Sequence, residues 1–223
     1  MNNLELSVDG NVARLTFRRP EKRNALTAEM WDGIVSGLAE LAQDESVRAL
    51  VVTGAGGSFS AGADLDAVRG ADGTRQDAYQ DKALRGVAAI RDFPRPTLAL
   101  IDGACIGGGC SIALACDVRF ASPASVFAVP AVRYGFTYDD GSLRRLVDLL
   151  GSGQATRFLL SAMKISGRDA ADIGLVELCS DDLSGEAEAY LSALVAGDVA
   201  IIDVTRRSIR QFAGLATAED YAT

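Results

Sequence analysis

Thr97-Leu98-Ala99-Leu100-Ile101, then Asp102-Gly103, then Gly107-Gly108-Gly109-Cys110 and Ser111-Ile112-Ala113-Leu114-Ala115-Cys116, is the stretch whose reading decides the fold. The apolar run set off by Pro94 and Pro96 predicts a short buried strand. The small apolar residues from Ser111 to Cys116 predict a buried helix. The three consecutive glycines between them give the backbone φ values that other residues avoid and remove side chains that would hold a ligand off the main chain. A helix starting just after such a turn presents unpaired N–H groups and a positive dipole end, which favours developing negative charge. Tight strand-to-helix packing without a ligand explains the same glycines, so this stretch alone leaves both readings open.

A second stretch repeats the pattern. Arg48-Ala49-Leu50-Val51-Val52-Thr53 reads as a buried strand, and Gly54-Ala55-Gly56-Gly57 leads from it into Ser58-Phe59-Ser60-Ala61-Gly62-Ala63-Asp64-Leu65. Two such turns, each offering one backbone N–H to a single oxygen, are what an oxyanion hole requires.

The string Phe59-Ser60-Ala61-Gly62-Ala63-Asp64-Leu65, followed by Asp102-Gly103-Ala104-Cys105-Ile106-Gly107-Gly108-Gly109-Cys110, resembles the crotonase (enoyl-CoA hydratase/isomerase) family. Arg19-Pro20-Glu21-Lys22-Arg23-Asn24-Ala25-Leu26 resembles the N-terminal signature of that family. The resemblance implies an α/β fold, a crotonase-like spiral of ββα repeats, here with a shortened C-terminal helical region. The expected division is a spiral core over residues 1–183 and a C-terminal helical segment over 184–223. No internal sequence repeat announces the spiral.

Composition excludes several function classes. The chain has 223 residues, 48% hydrophobic, enough for one well-buried core. A net charge of −8 and the lack of a basic stripe argue against a nucleic-acid partner. No apolar run approaches the ~20 residues of a membrane-spanning helix, and no charged-then-apolar leader opens the chain; a cytoplasmic protein is expected. With no histidine there is no Ser-His-Asp triad, Cys-His dyad or histidine metal site. Cys105, Cys110, Cys116 and Cys179 fit no common zinc spacing and read as buried structural thiols. No metal or separate cofactor is expected; coenzyme A enters as part of the substrate.

In order, the pattern predicts a strand over 12–17, then a helix from the Thr27 cap to about Ala42 with Met30, Ile34, Leu38 and Leu41 on one face. It predicts a strand over 50–53, a mobile loop over 65–74, and a helix over 74–92 with Ala83, Val87 and Ile90 at core spacing. Beyond the central stretch it predicts strands at 118–120, 126–128 and 175–179, and helices over 141–150, 154–161, 166–173, 186–195 and 199–212.

The resemblance assigns the thioester oxygen to the N–H groups of Ala63 and Gly108. It puts Lys22, Arg23, Ala25, Ala61, Asp64 and Leu65 where the family contacts CoA, the two cations meeting phosphates unless they form only a solvated surface pair. Family hydratases carry one glutamate where this chain has Ser111 and a second where the match through Phe127-Ala128-Val129-Pro130 reaches Ala131. Neither carboxylate is present, which disfavours two-glutamate hydration and isomerisation by the second glutamate. The ungapped continuation reaches Asp139, where dienoyl-CoA isomerases and aryl-CoA dehalogenases of the family carry a catalytic aspartate. The dehalogenases also use a histidine, absent here. Asp139 is thus a candidate base or nucleophile, with Asp140 beside it, and either is equally a cap for the helix at Gly141. Tyr134 and Tyr138 are hydrogen-bond donors in the same region or packing residues, and Ser111 is a small space-filler in that reading.

The resulting expectation is an acyl-CoA thioester-processing enzyme that stabilises an enolate in a backbone oxyanion hole. The alternatives are a non-catalytic acyl-CoA-binding accessory subunit and a hydrolase- or dehalogenase-like activity. The resemblance also implies a homotrimer or dimer of trimers.

Overall fold

The computed structural model describes residues 3–65, 74–135 and 137–214. The predicted loop over 65–74 lies, except for its two ends, outside the described residues.

The main sheet has six strands: β1 (Leu4–Asp9), β2 (Val12–Phe17), β3 (Ala49–Gly54), β4 (Thr97–Ile101), β6 (Val118–Ala121) and β9 (Leu178–Cys179), in the order β1-β2-β3-β4-β6-β9. Only β1–β2 is antiparallel, closed by a turn in which Gly10 takes φ 56°. A second sheet holds β5 (Ala104–Ile106), β7 (Val126–Ala128) and β8 (Ile165–Ser166). Between the strands lie α1 (Ala28–Leu41), α2 (Thr74–Arg91), α3 (Gly108–Ala115), α4 (Ala131–Tyr134), α5 (Asp140–Ser161), α6 (Gly167–Asp172), α7 (Leu183–Ala196) and α8 (Val199–Phe212).

The spiral invisible as a sequence repeat is plain in space. β4 enters the main sheet, β5 the second sheet, and α3 follows; β6, β7 and α4 repeat the order. One turn earlier, β3 leads to Ser60, which bridges in parallel to Cys105 of β5. The successive coils therefore each contribute a segment to each sheet and stack in parallel, except that β8 pairs antiparallel with β7. Parallel pairing needs a crossover between neighbours, which the helices supply.

The alternation along β3 explains its unbroken apolar run. Leu50 and Val52 enter the main core with Leu15, Ile34 and Ile101, while Ala49 and Val51 face a second cluster with Leu98, Phe120 and Leu191 of α7. The Thr27 side chain caps α1 by accepting from Met30 N, and Ser166 and Asp169 form a reciprocal capping box on α6. The two helices expected over 141–161 run as one rod broken at Gly151, whose φ 71° and ψ 159° are not helical. The strand expected over 175–179 shortens to Leu178–Cys179.

Two buried polar groups tie the coils together. Asn24, fully buried at φ 55°, accepts from Arg19 N (2.8 Å) and donates to the carbonyls of Ala55 (2.9 Å) and Ser58 (2.6 Å). Arg119, also fully buried, donates to the carbonyls of Leu175 and Cys116 and pairs with Glu177. Satisfied in this way, both groups lock chain crossings rather than costing stability.

Candidate active site

The site begins with backbone. Ser60 N donates to Ala104 O (2.7 Å) and Ile106 N to Ser60 O (2.9 Å), so the two glycine turns leave adjacent strands side by side. The Ser60 hydroxyl donates to Asn24 O (2.9 Å) and accepts from Gly62 N (3.1 Å), shaping the first turn. That turn then bridges to Leu26: Leu26 N donates to Gly62 O (2.7 Å) and Asp64 N donates to Leu26 O (2.9 Å). In such a bridge the residues flanking Ala63 make the bonds, leaving the Ala63 N–H directed away from Leu26 and without a partner among the described residues.

The second turn meets the first at Gly62. Gly62 has φ 85°, and a Cβ there would lie 2.6 Å from Ile106 O and 3.3 Å from Gly108 N. A Cβ on Gly109 would lie 2.8 Å from Ser60 O. Glycine is thus required where the two backbones touch. Gly107 N donates to Ala128 O (2.9 Å), and Gly108 opens α3 with its N–H free among the described residues, as the first donors of a helix are.

Ala63 and Gly108 border one cavity of about 310 Å3. Trp31, Tyr79, Leu84 and Val87 supply an apolar wall, and Val129, Pro130 and Ala131 another. The polar end holds Ser111, Tyr138 and Asp139. The Ser111 hydroxyl donates to Asp139 Oδ2 (3.1 Å), while Asp139 Oδ1 accepts from Ser142 N (2.8 Å) and so caps α5. The cap and the cavity position therefore coexist in one side chain. The Tyr138 hydroxyl donates to Gly107 O (3.4 Å), and burial holds its phenol well above the usual pKa, so it stays protonated.

Of the residues singled out from sequence, Ala61, Ala63, Leu65, Gly108, Ser111, Ala131, Tyr134, Tyr138 and Asp139 meet at this cavity. Asp140 does not: it is exposed in the first turn of α5. Asp64 is turned to Arg19, at 2.9 Å, and Ala25 is buried with its carbonyl accepting from Arg19 Nη1. Lys22 and Arg23 are exposed beside a turn in which Arg23 takes φ 49° and its carbonyl accepts from Ala61 N (2.8 Å). Ala83 and Val87 pack against the core that holds Ile90, as expected, and line the cavity as well; Trp31 and Tyr79 join them there without a signal in the sequence. Helical periodicity marks an inward face without distinguishing core from cavity wall. The Tyr79 hydroxyl donates to Leu26 O (3.0 Å), and burial pushes its pKa up to about 12.

The enoyl-CoA hydratase/isomerase family matches residues 7–219. The chain belongs to this family. It is 30% identical over 217 residues to a short-chain-enoyl-CoA hydratase of Clostridium acetobutylicum, a match covering 95% of this chain and 82% of that protein. It is 37% identical over 164 residues to a probable enoyl-CoA hydratase of Mycobacterium bovis, covering 74% of this chain and 65% of that relative's length. A peroxisomal Δ(3,5)-Δ(2,4)-dienoyl-CoA isomerase of Arabidopsis thaliana is 31% identical over 182 residues, 76% of this chain and 66% of the isomerase. Among solved structures, an enoyl-CoA hydratase/isomerase family protein from Hyphomonas neptunium superposes with a TM-score of 0.91 at 27% identity, covering 99% of this chain and 86% of that one. Family membership carries the spiral α/β fold.

Proposed function

We propose that this member of the enoyl-CoA hydratase/isomerase family binds an acyl-CoA thioester, holds its enolate oxygen with the Ala63 and Gly108 N–H groups, and uses Asp139 as its acid–base group. One observation carries this reading: Asp139 is the single carboxylate among the described residues lining the cavity that Ala63 and Gly108 border. In the reaction, a proton bound to carbon α or γ to the thioester carbonyl passes to Asp139 Oδ2. The C–H electron pair flows into the carbonyl, and the developing oxyanion is met by the two N–H groups. Return of the proton to a different carbon of the conjugated system shifts the double bond without adding water. Ala131 and Ser111 stand where family hydratases carry glutamates, so a one-carboxylate isomerisation fits better than hydration. The dienoyl-CoA isomerase among the relatives is in line with this. The exposed Lys22 and Arg23, next to the turn that supports Ala61, are suited to CoA phosphates.

The test is incubation with a panel of acyl-CoA thioesters in deuterated water, followed by mass and chromatographic position. Deuterium uptake with a shifted double bond supports the reading, and water gain or release of free CoA replaces it with hydration or hydrolysis. Asp139→Asn should abolish exchange while preserving the fold, because asparagine caps helices as well as aspartate does. Unchanged turnover in that variant excludes Asp139 as the base. A second reading, acyl-CoA binding without turnover, is favoured by the engagement of Asp139 Oδ1 in the helix cap. It predicts tight binding of CoA esters with no exchange. Sedimentation tests the trimeric assembly that the family implies.

A further inference from the structure

A second, smaller cavity of about 50 Å3 lies on the far side of the α5 cap and shares Val87 with the main cavity. Its walls include Arg91, Arg145 and Arg210, a single carboxylate, Asp117, and the first turn of α5 at Gly141 and Ser142. Three arginines and one carboxylate thus line the cavity beside the positive end of a helix, and Asp92 pairs with Arg91 and Arg210.

The carboxylates in the neighbourhood are already engaged. Asp117 Oδ2 accepts from Thr97 N (2.9 Å), Thr97 Oγ1 (3.1 Å) and Arg206 Nε (2.8 Å), and its Oδ1 lies 3.9 Å from Arg210. Asp92 binds Arg91 through Nε (2.8 Å) and Nη2 (2.9 Å), and lies 3.7 Å from Arg210. Arg210 also donates to Arg91 O (2.8 Å). Asp139 Oδ1 accepts from Ser142 N. Arg145 is the exception: half-buried, its side chain has no hydrogen bond or ion pair with any described residue. Asp117, Glu177 and Asp148 attract it only at a distance, and burial together with Arg119 pushes its pKa below the ordinary arginine value. Ser142 is 3% exposed, and its hydroxyl has no hydrogen-bond partner among the described residues. A Cβ at Gly141 would lie 3.5 Å from Asp139 Oδ1 and 3.8 Å from Arg91 Nη1.

An uncompensated, partly buried cation beside other cations and a helix N-terminus is unfavourable unless an anion joins it. A buried hydroxyl without a partner carries its own desolvation cost, which a ligand accepting its proton removes. We propose that this cavity binds one small monovalent inorganic anion of halide size, held by Arg145, Arg91 and the Ser142 hydroxyl at the N-terminus of α5. A space of about 50 Å3 exceeds the ~10–15 Å3 that one water requires and is small for a phosphate ester. The anion is thus distinct from coenzyme A, and its binding does not depend on the reaction performed in the main cavity.

Bromide is the probe. Crystals soaked in sodium bromide should show one anomalous peak bounded by Arg145 and Ser142, absent from Arg145→Gln crystals. In solution, exchanging a bulky organic anion for bromide at fixed ionic strength should raise the wild-type Tm and saturate; Arg145→Gln should show no rise. Ser142→Ala, a milder change, should need about tenfold more bromide for the same rise. No peak in wild-type crystals together with equal Tm in the two salts overturns the proposal. So does a peak that persists in the Arg145→Gln protein.

Discussion

The two ends of the main cavity are built by different means. The Ala63–Gly108 end is backbone, fixed by Ser60, Asn24, Leu26 and a chain of strand-like bonds between coils. The Asp139 end is one side chain on a helix cap, touched by one hydroxyl from α3. The first resists change because every donor is part of the fold; the second is adjustable, since a new residue at Ser111 or Asp139 alters chemistry without unthreading a coil.

The sharpest way to break that contrast is Gly62→Ala. At φ 85°, with a carbonyl 2.6 Å from the new Cβ, the two turns must part. We expect a loss of about 3 kcal/mol of stability in urea denaturation and a fall in turnover of at least ~100-fold from displaced N–H groups. Asp139→Asn should reverse the balance: turnover falls by at least ~100-fold, while the denaturation midpoint shifts by no more than ~0.5 kcal/mol.

An alkaline titration probes the backbone end again. The Tyr79 phenol, whose bond to Leu26 O supports the Ala63 bridge, has a folded pKa of about 12 against an ordinary 10.0. Because the folded state keeps this proton longer, its contribution is complete below pH 10 and is lost as pH rises to about 12, by about 2–3 kcal/mol. Cys116, also pushed to about 12 by burial, adds to the decline. Tyr79→Phe should flatten the part of the stability–pH curve due to the phenol.

Ser111→Ala should be smaller, about tenfold in turnover, because it removes one hydrogen bond to a carboxylate and leaves the charge. Asp140→Asn should be smallest, within ~0.5 kcal/mol in stability and without change in turnover, since that side chain is exposed outside the cavity. A large effect of Asp140→Asn would move the acid end of the site.

Much of the fold was legible because its signals are local. Thr27 and Ser166 mark helix starts, Gly151 divides the long rod, and the apolar runs of β3 and β4 announce strands buried on both faces. The short β5 and β8 were not legible: three and two residues carry no period and become strands only through their partners β7 and Ser60. β1 carries no clear alternation because most of it is exposed, and its place is set by pairing with β2.

By itself, the sequence determined the family, the two glycine turns and the presence of Asp139. Those are identities and spacings, which need no coordinates. Only tertiary structure decided that Asp139 both caps α5 and reaches the cavity, that Asp140 next to it faces outward, and that Asp64 turns to Arg19. It also decided that Val87 and Trp31, part of or packed on the core, border the cavity as well. The reason is geometric: neighbours on a helix's first turn point in different directions. Whether an inward face meets protein or empty space depends on coils far away in the chain.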